Sequence, residues 1–137
     1  MNVVRVKAGV RFDVIKPAGF RILSALDQAA QICSVDLEIT SGTDSHAAPD
    51  PHALGEAYDV SVKALTGSQI VEVRRTVTMM LGPAFTVLYE VPFLPADPAL
   101  QAIAYVNREA TGPHFHIQRR KGTIFPPPAS APGTVVA

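Results

Sequence analysis

ITSGTDSHAAPDPHALGEAYDVSV, running from Ile39 to Val62, is the stretch on which the fold turns. It opens on the end of an alternating segment. Val35, Leu37 and Ile39 are apolar while Asp36, Glu38 and Thr40 are polar, the pattern of a half-buried strand. Ser41-Gly42 ends that strand. The next dozen residues are rich in Ser, Asp, Ala and Pro, with Pro49 and Pro51 stiffening a loop that cannot be regular structure. After Gly55 the chain resumes as a strand from Ala57 to Val62, with Ala57, Asp59 and Ser61 on one face and Tyr58, Val60 and Val62 on the other. Asp59 is thus a carboxylate inside a strand-like segment. With His52 it forms a metal half-site, because Gly55 permits a sharp turn between them and small Ala57 leaves room beside an ion.

Outward from this stretch the chain reads as an α+β domain. Upstream, valines at 4, 6 and 10 with Phe12, Val14 and Ile15 predict one or two short strands or an extended arm. Phe20, Leu23, Leu26, Ala30 and Cys33 then recur at three- and four-residue spacing, predicting a helix over about 18–33. Downstream, Thr66-Gly67-Ser68 offers capping groups for a second helix traced by Ile70, Val73, Val77, Met80 and Leu81 and ended by Gly82-Pro83; Met79 and Met80 read as core. Phe85, Val87 and Tyr89 alternate with Thr86, Leu88 and Glu90 in another strand. A turn-rich insertion from Pro92 to Pro98 leads to a short helix around 99–106, and the last strand runs from His114 to Gln118. Residues 1–122 read as one domain, and the Pro-rich 123–137 as a mobile tail.

Composition removes several function classes. Lys plus Arg equals Asp plus Glu at 12 each, so no strong basic field is available for nucleic acid. No apolar run approaches the roughly 20 residues of a membrane helix, so no membrane insertion is expected. Cys33 is the single cysteine, which excludes a disulfide framework and a Cys-based zinc module. The N-terminal MNVVRVKAGVRFDVI lacks the apolar core of a secretory signal, which implies a chain that is cytoplasmic as synthesised.

The four histidines fall in two groups, His46 with His52 and His114 with His116. His114 and His116 lie two apart on a strand, so both rings project from one face while Phe115 points into the opposite layer. One ring can complete a three-ligand site with His52 and Asp59. The other can hydrogen-bond to a water or a developing oxyanion.

The segment HALGEAYD matches an H-x-x-G-x-A-x-D signature, and PHFHIQ is similar to a later H-x-H strand; together they resemble the zinc D-Ala-D-Ala peptidases of the peptidase M15 group. That group belongs to a wider set including lysostaphin-type endopeptidases and the hedgehog signalling domain. The resemblance covers roughly residues 20–120 in element order and is specific in the two motifs. It implies a hedgehog/DD-peptidase-like fold, with a small antiparallel sheet flanked by two main helices and the metal site on the sheet face. It implies one zinc ion per chain, held by His52, Asp59 and His116, with His114 as a catalytic residue that polarises water or steadies the tetrahedral intermediate.

Other members carry an acid three residues before the last histidine, where this chain has Thr111 or Pro113. That leaves the identity of the general base open, with Glu90 and Glu109 as the candidate substitutes. Relatives also carry a substrate-gripping arginine in SG-x-R-S; here that position is Asp44, leaving Asp44, Ser45 and His46 as the substrate-side groups. The implied activity is hydrolysis of peptidoglycan stem peptides or small D-Ala-containing peptides, as a carboxypeptidase or an endopeptidase. A phage-encoded enzyme released to the cell wall or carried on the virion fits such a chain, and so does an intracellular peptide-recycling enzyme. The alternative is a catalytically inactive metal-binding recognition domain on the same scaffold.

Overall fold

The computed structural model describes residues 1–43, 51, 52, 54–123 and 125. Nine elements follow in order: β1 (Val4–Val6), α1 (Pro17–Cys33), β2 (Leu37–Ser41), β3 (Ala57–Ser61), α2 (Gly67–Leu81), β4 (Phe85–Val91), α3 (Pro98–Gln101), β5 (Ala104–Val106) and β6 (His114–Arg119). The six strands form one sheet in the order β1-β2-β3-β6-β4-β5. Its four central strands pair antiparallel, but β1 runs parallel to β2 and β5 parallel to β4, so the sheet is mixed and not the antiparallel one expected. Both parallel pairs follow from crossovers: α1 carries the chain from β1 to β2, and α3 lies in the connection from β4 to β5. The expected helix around 99–106 is accordingly short. Asp97 caps it by accepting from the Ala99 amide, and the aromatic and β-branched residues that follow, Tyr105 and Val106, pair with Glu90 and Val91 as strand.

Alternation divides the sheet into two chemically different faces. Leu37, Ile39, Tyr58, Val60, Phe85, Val87, Tyr89, Val91, Phe115 and Ile117 are buried on one side, under α1 and α2, which pack against each other. Both helices therefore cover the same face. Asp59, Ser61, Glu90, His114, His116 and Gln118 alternate with these residues and stand on the face opposite α1 and α2.

The buried seam of α1 is rotated from the expected stripe. Ala18, Ile22, Ala25, Leu26, Ala29 and Ala30 face the sheet, whereas Phe20 is 60% exposed. Small residues set this seam because they let the helix axis approach closely. At Gly19 a Cβ would overlap the Gly55 carbonyl oxygen and the Tyr58 hydroxyl. The Tyr58 hydroxyl is shut away there, and burial pushes its pKa up to about 12.

In α2 the capping box is Thr66 with Gln69. The Gln69 amide donates to the Thr66 hydroxyl at 3.2 Å, and the Thr66 amide donates to Gln69 Oε1 at 2.9 Å. Of the two methionines expected in the core, Met80 packs partly against it while Met79 is 73% exposed, one residue off the buried Ile70–Val73–Val77–Leu81 face. Beyond β6, Phe125 meets Phe85 edge-on at 5.1 Å; most of the tail lies outside the described residues. Among the described residues no helix is long and apolar enough to cross a membrane.

Candidate metal centre

Strand register assembles most of the centre. In the β3–β6 ladder Asp59 lies opposite His116 and Ser61 opposite His114. In the β6–β4 ladder His114 lies opposite Glu90. Residues directly opposite share a sheet face, so Asp59, His114, His116 and Glu90 come together across three strands although up to 57 residues separate them in sequence.

His52 reaches the same place from a turn. The Gly55 amide donates to the His52 carbonyl at 3.0 Å and the Glu56 amide to the Pro51 carbonyl at 3.0 Å. Gly55 takes φ +72°, and a Cβ on it would overlap the Val14 carbonyl, so the turn needs glycine twice over. Glu56 ties the turn to β6 through Arg119, whose Nε and Nη2 donate to the two carboxylate oxygens at 2.6 and 3.2 Å. On the other flank the N-terminal arm packs on Gly42 and Thr43. The Thr43 amide donates to the Arg11 carbonyl at 2.8 Å, and the Thr43 hydroxyl accepts from the Asp13 amide at 2.9 Å. This fixes the Gly42 carbonyl, which accepts a hydrogen bond from His52 Nδ1 at 3.2 Å.

Three donor atoms converge. His52 Nε2 is 3.3 Å from His116 Nδ1 and 3.4 Å from Asp59 Oδ1, and His116 Nδ1 is 2.9 Å from the same oxygen. The outer nitrogens each face an oxygen acceptor. His52 Nδ1–H is committed to the Gly42 carbonyl, and His116 Nε2–H to Gln118 Oε1 at 2.7 Å. A proton on His116 Nδ1 bridges to Asp59 Oδ1 in the metal-free site. Once both rings are neutral on these tautomers, their inner lone pairs and the carboxylate oxygen converge on one point, where a cation would sit.

Donors around a tetrahedral ion with ligand distances of about 2.0–2.1 Å stand about 3.3–3.4 Å apart, so two of the three separations already match and the third is shorter. The group His52, Asp59 and His116 could hold a metal ion. His52 is almost fully buried, and Asp59 and His116 are each about one-fifth exposed, 20% and 18%, leaving an approach from one side.

The electrostatics agree with that reading. Burial by itself would raise the Asp59 carboxyl, but hydrogen bonds and charge from His116 and His52 outweigh it and hold the group well below the usual carboxylate range. Burial would lower the His116 imidazole, but hydrogen bonds to Asp59 and Gln118, with the charges of Asp59 and Glu90, raise it. Both shifts describe a site that attracts positive charge.

His114 stands beside the three donors, not among them. Its Nε2 is 3.7 Å from Asp59 Oδ1 but 3.1 Å from Glu90 Oε1, and its Nδ1–H donates to the Gly112 carbonyl at 3.0 Å. Both ring nitrogens thus stand against oxygen atoms, of the Gly112 carbonyl and the Glu90 carboxylate. Glu109 lies in the turn before β6, its amide donating to Asn107 Oδ1, with no recorded contact to the centre. Asp44, Ser45 and His46 lie outside the described residues.

Two parts of the centre were missed from sequence. Gln118 was readable, since it continues the 114–116 alternation on the same face. The Gly42 carbonyl and the Thr43 clamp carry no sequence signal, because backbone oxygens have none. Comparison with family models, with curated proteins and with solved structures returns no match.

Proposed function

We propose that this chain is a zinc-dependent peptidase with a hedgehog/DD-peptidase-like arrangement, acting on peptidoglycan stem peptides or other small D-Ala-containing peptides. The observation that carries the reading is the convergence of His52 Nε2, Asp59 Oδ1 and His116 Nδ1, with both outer nitrogens committed to acceptors. Two neutral imidazoles and one carboxylate form a set suited to zinc, and three protein ligands leave a fourth position open. The HALGEAYD and PHFHIQ motifs add the substrate class.

His52, Asp59 and His116 would hold the ion. When bound there, zinc supplies Lewis acidity toward a carbonyl and an acidified water. The remaining roles fall to the chain. Glu90 lies 3.1 Å from His114 Nε2, and its carboxylate is the group that would accept a proton from an attacking water and return it to the leaving amine, with His114 holding it in place. The Gly112 carbonyl holds the His114 ring with Nε2 toward Asp59 and Glu90, which keeps the pair aimed at the centre. Glu90 takes the part that an acid three residues before the last histidine plays in relatives, from the neighbouring strand instead of the same one.

One observation favours a second reading, a metal-holding recognition domain without activity. Both His114 nitrogens already face oxygen atoms, the Gly112 carbonyl and the Glu90 carboxylate, so neither is turned solely to the metal position. Two measurements separate the readings. Metal analysis of purified protein is expected to find about one zinc per chain, lost in Asp59→Ala. Digestion of muropeptides, read by mass with and without chelator, is expected to yield products only when zinc is present. Full zinc occupancy with intact muropeptides would leave the recognition domain as the surviving reading.

A further inference from the structure

The two edges of the sheet are guarded differently. At one end β1 carries Arg5 at its middle and Lys7 just after it, charged residues of the kind that keep an exposed edge from pairing with other chains. At the other end β5 has no such guard, since residues 98–107, PALQAIAYVN, hold no charged side chain. Around β5 large apolar side chains stand in solvent. Tyr105 is 52% exposed and Val106 45%; Phe93 at 77% and Leu94 at 60% follow β4 at the end where Val91 pairs with Val106.

The bonding pattern fixes which groups this edge offers. The Asn107 amide donates to the Val91 carbonyl at 2.8 Å, so in the parallel β4–β5 ladder Tyr105 and Asn107 turn their peptide groups toward β4. Ala104 and Val106 therefore turn theirs outward, where no other strand meets them among the described residues. Beyond these two residues the edge closes. On one side the Ala102 amide is bonded to the Pro98 carbonyl within α3, and on the other the Ala110 amide closes a turn on the Asn107 carbonyl.

We infer that β5 is a dimerisation edge, pairing antiparallel with β5 of a second copy about a two-fold axis at Tyr105. In that register Ala104 of each copy faces Val106 of the other, and the two pairs exchange four hydrogen bonds, which uses every outward group. Tyr105, on the open face with Glu90, meets its own counterpart as the closely spaced pair between them. A two-fold axis sets each residue near it against its own copy, so a charge there would meet a like charge; the uncharged 98–107 segment avoids this. The formal net charge of zero adds no long-range repulsion. The exposed parts of Tyr105, Val106, Phe93 and Leu94 come to roughly 400 Å², about half of the ~800 Å² that each side of a stable complex buries, so the dimer is reversible. The chain's own tail is a poorer occupant, because Pro126, Pro127, Pro128 and Pro132 lack the donor that strand pairing needs. With the sheet continuous across the axis, both metal centres open on the same side, and the two β6 strands lie five strand spacings, about 24 Å, apart.

Size-exclusion chromatography with light scattering on the full chain, at about 5 and about 500 µM, reads the mass directly. Wild type is expected to rise from 14.6 kDa toward twice that value with concentration. In Val106→Pro the donor lost is the outward one, so the β4 ladder is kept and the variant is expected to stay at 14.6 kDa at both concentrations. A wild type that stays at 14.6 kDa, or a dimer that Val106→Pro leaves intact, overturns the inference. Cross-linking gives a second measurement that does not depend on how the proline variant folds. Tyr105→Cys is made in a Cys33→Ser background. Cα atoms of a closely spaced antiparallel pair stand about 4.5 Å apart, within the span of a disulfide. Mild oxidation is expected to cross-link position 105 and not a Phe20→Cys control, exposed on α1. Equal cross-linking at the two positions, or none at 105, overturns the pairing.

Discussion

Gln118 supplies the most specific prediction, because nothing about it is explained by packing alone. Its Oε1 accepts the His116 Nε2–H at 2.7 Å, and that contact favours the neutral tautomer with the proton on the outer nitrogen, leaving Nδ1 as the nitrogen that would bind a metal. In Gln118→Leu the volume is nearly kept and the acceptor is gone. The ring is then free to carry its proton on Nδ1 and hydrogen-bond to Asp59, 2.9 Å away, which blocks one donor and occupies a second. Loss of such an outer partner costs roughly 10–100-fold in metal affinity, about 1.4–2.7 kcal/mol. Competition for zinc against a chelator of known affinity reads this directly. The expected result is a weaker zinc complex within that range, with the Tm of the metal-free protein nearly unchanged because Gln118 contributes little to the core. An unchanged zinc affinity would refute the tautomer argument, and with it much of the case for a built metal site.

Three further outcomes follow from the same geometry. Chelation is expected to lower the Tm of zinc-loaded protein by about 10 °C, since a ligand at a hundredfold excess over its Kd contributes about 2.7 kcal/mol; equal melting curves would mean that the donors serve packing only. Gly55→Ala is expected to cost at least about 2 kcal/mol and to reduce zinc occupancy, because the residue sits at φ +72° against the Val14 carbonyl; a Tm within 1–2 °C of wild type (about 0.5 kcal/mol or less) would show the turn to be adaptable. The third concerns pH. His116 is raised in the fold, so in metal-free protein its contribution is full below the unfolded value of about 6.5 and fades as pH rises through the folded value. Asp59 is lowered, so its contribution persists above the unfolded carboxyl value and disappears only in acid. Zinc displaces the His116 proton, so zinc-loaded protein is expected to gain stability over the interval just above pH 6.5 in which chelated protein loses it. Parallel Tm curves with and without chelator would contradict this.

Much of the fold could be read from local pattern. The helices at 17–33 and 67–81 and the strands at 37–41, 57–61, 85–91 and 114–119 each carry enough periodicity to be seen in isolation. Three errors share a cause. The seam of α1 was assigned to its large apolar residues, yet alanines and Gly19 set it, because close approach to the sheet favours small side chains. Residues 104–106 became a strand because β4 offered an open edge in parallel, and an edge is not a property of the segment that occupies it. The antiparallel expectation failed for the same reason at β1.

His52, Asp59 and the H-x-H strand were visible as metal-type donors from residue type and spacing alone, since a histidine alternation on a strand puts two rings on one face whatever surrounds them. The sequence by itself determined the two main helices and the four central strands, the sidedness of β3 and β6, and the chemical identity of the donors. Which histidine joins them, and which pairs with Glu90, depended on the tertiary structure. The register of β3 and β4 on β6 sets His116 against Asp59 and His114 against Glu90, and long-range pairing has no local code. The same holds for the Gly42 carbonyl that orients His52 and for the edge that β5 presents. Each of these depends on where distant backbone passes, which is decided by burying the opposite face of the sheet under the two helices.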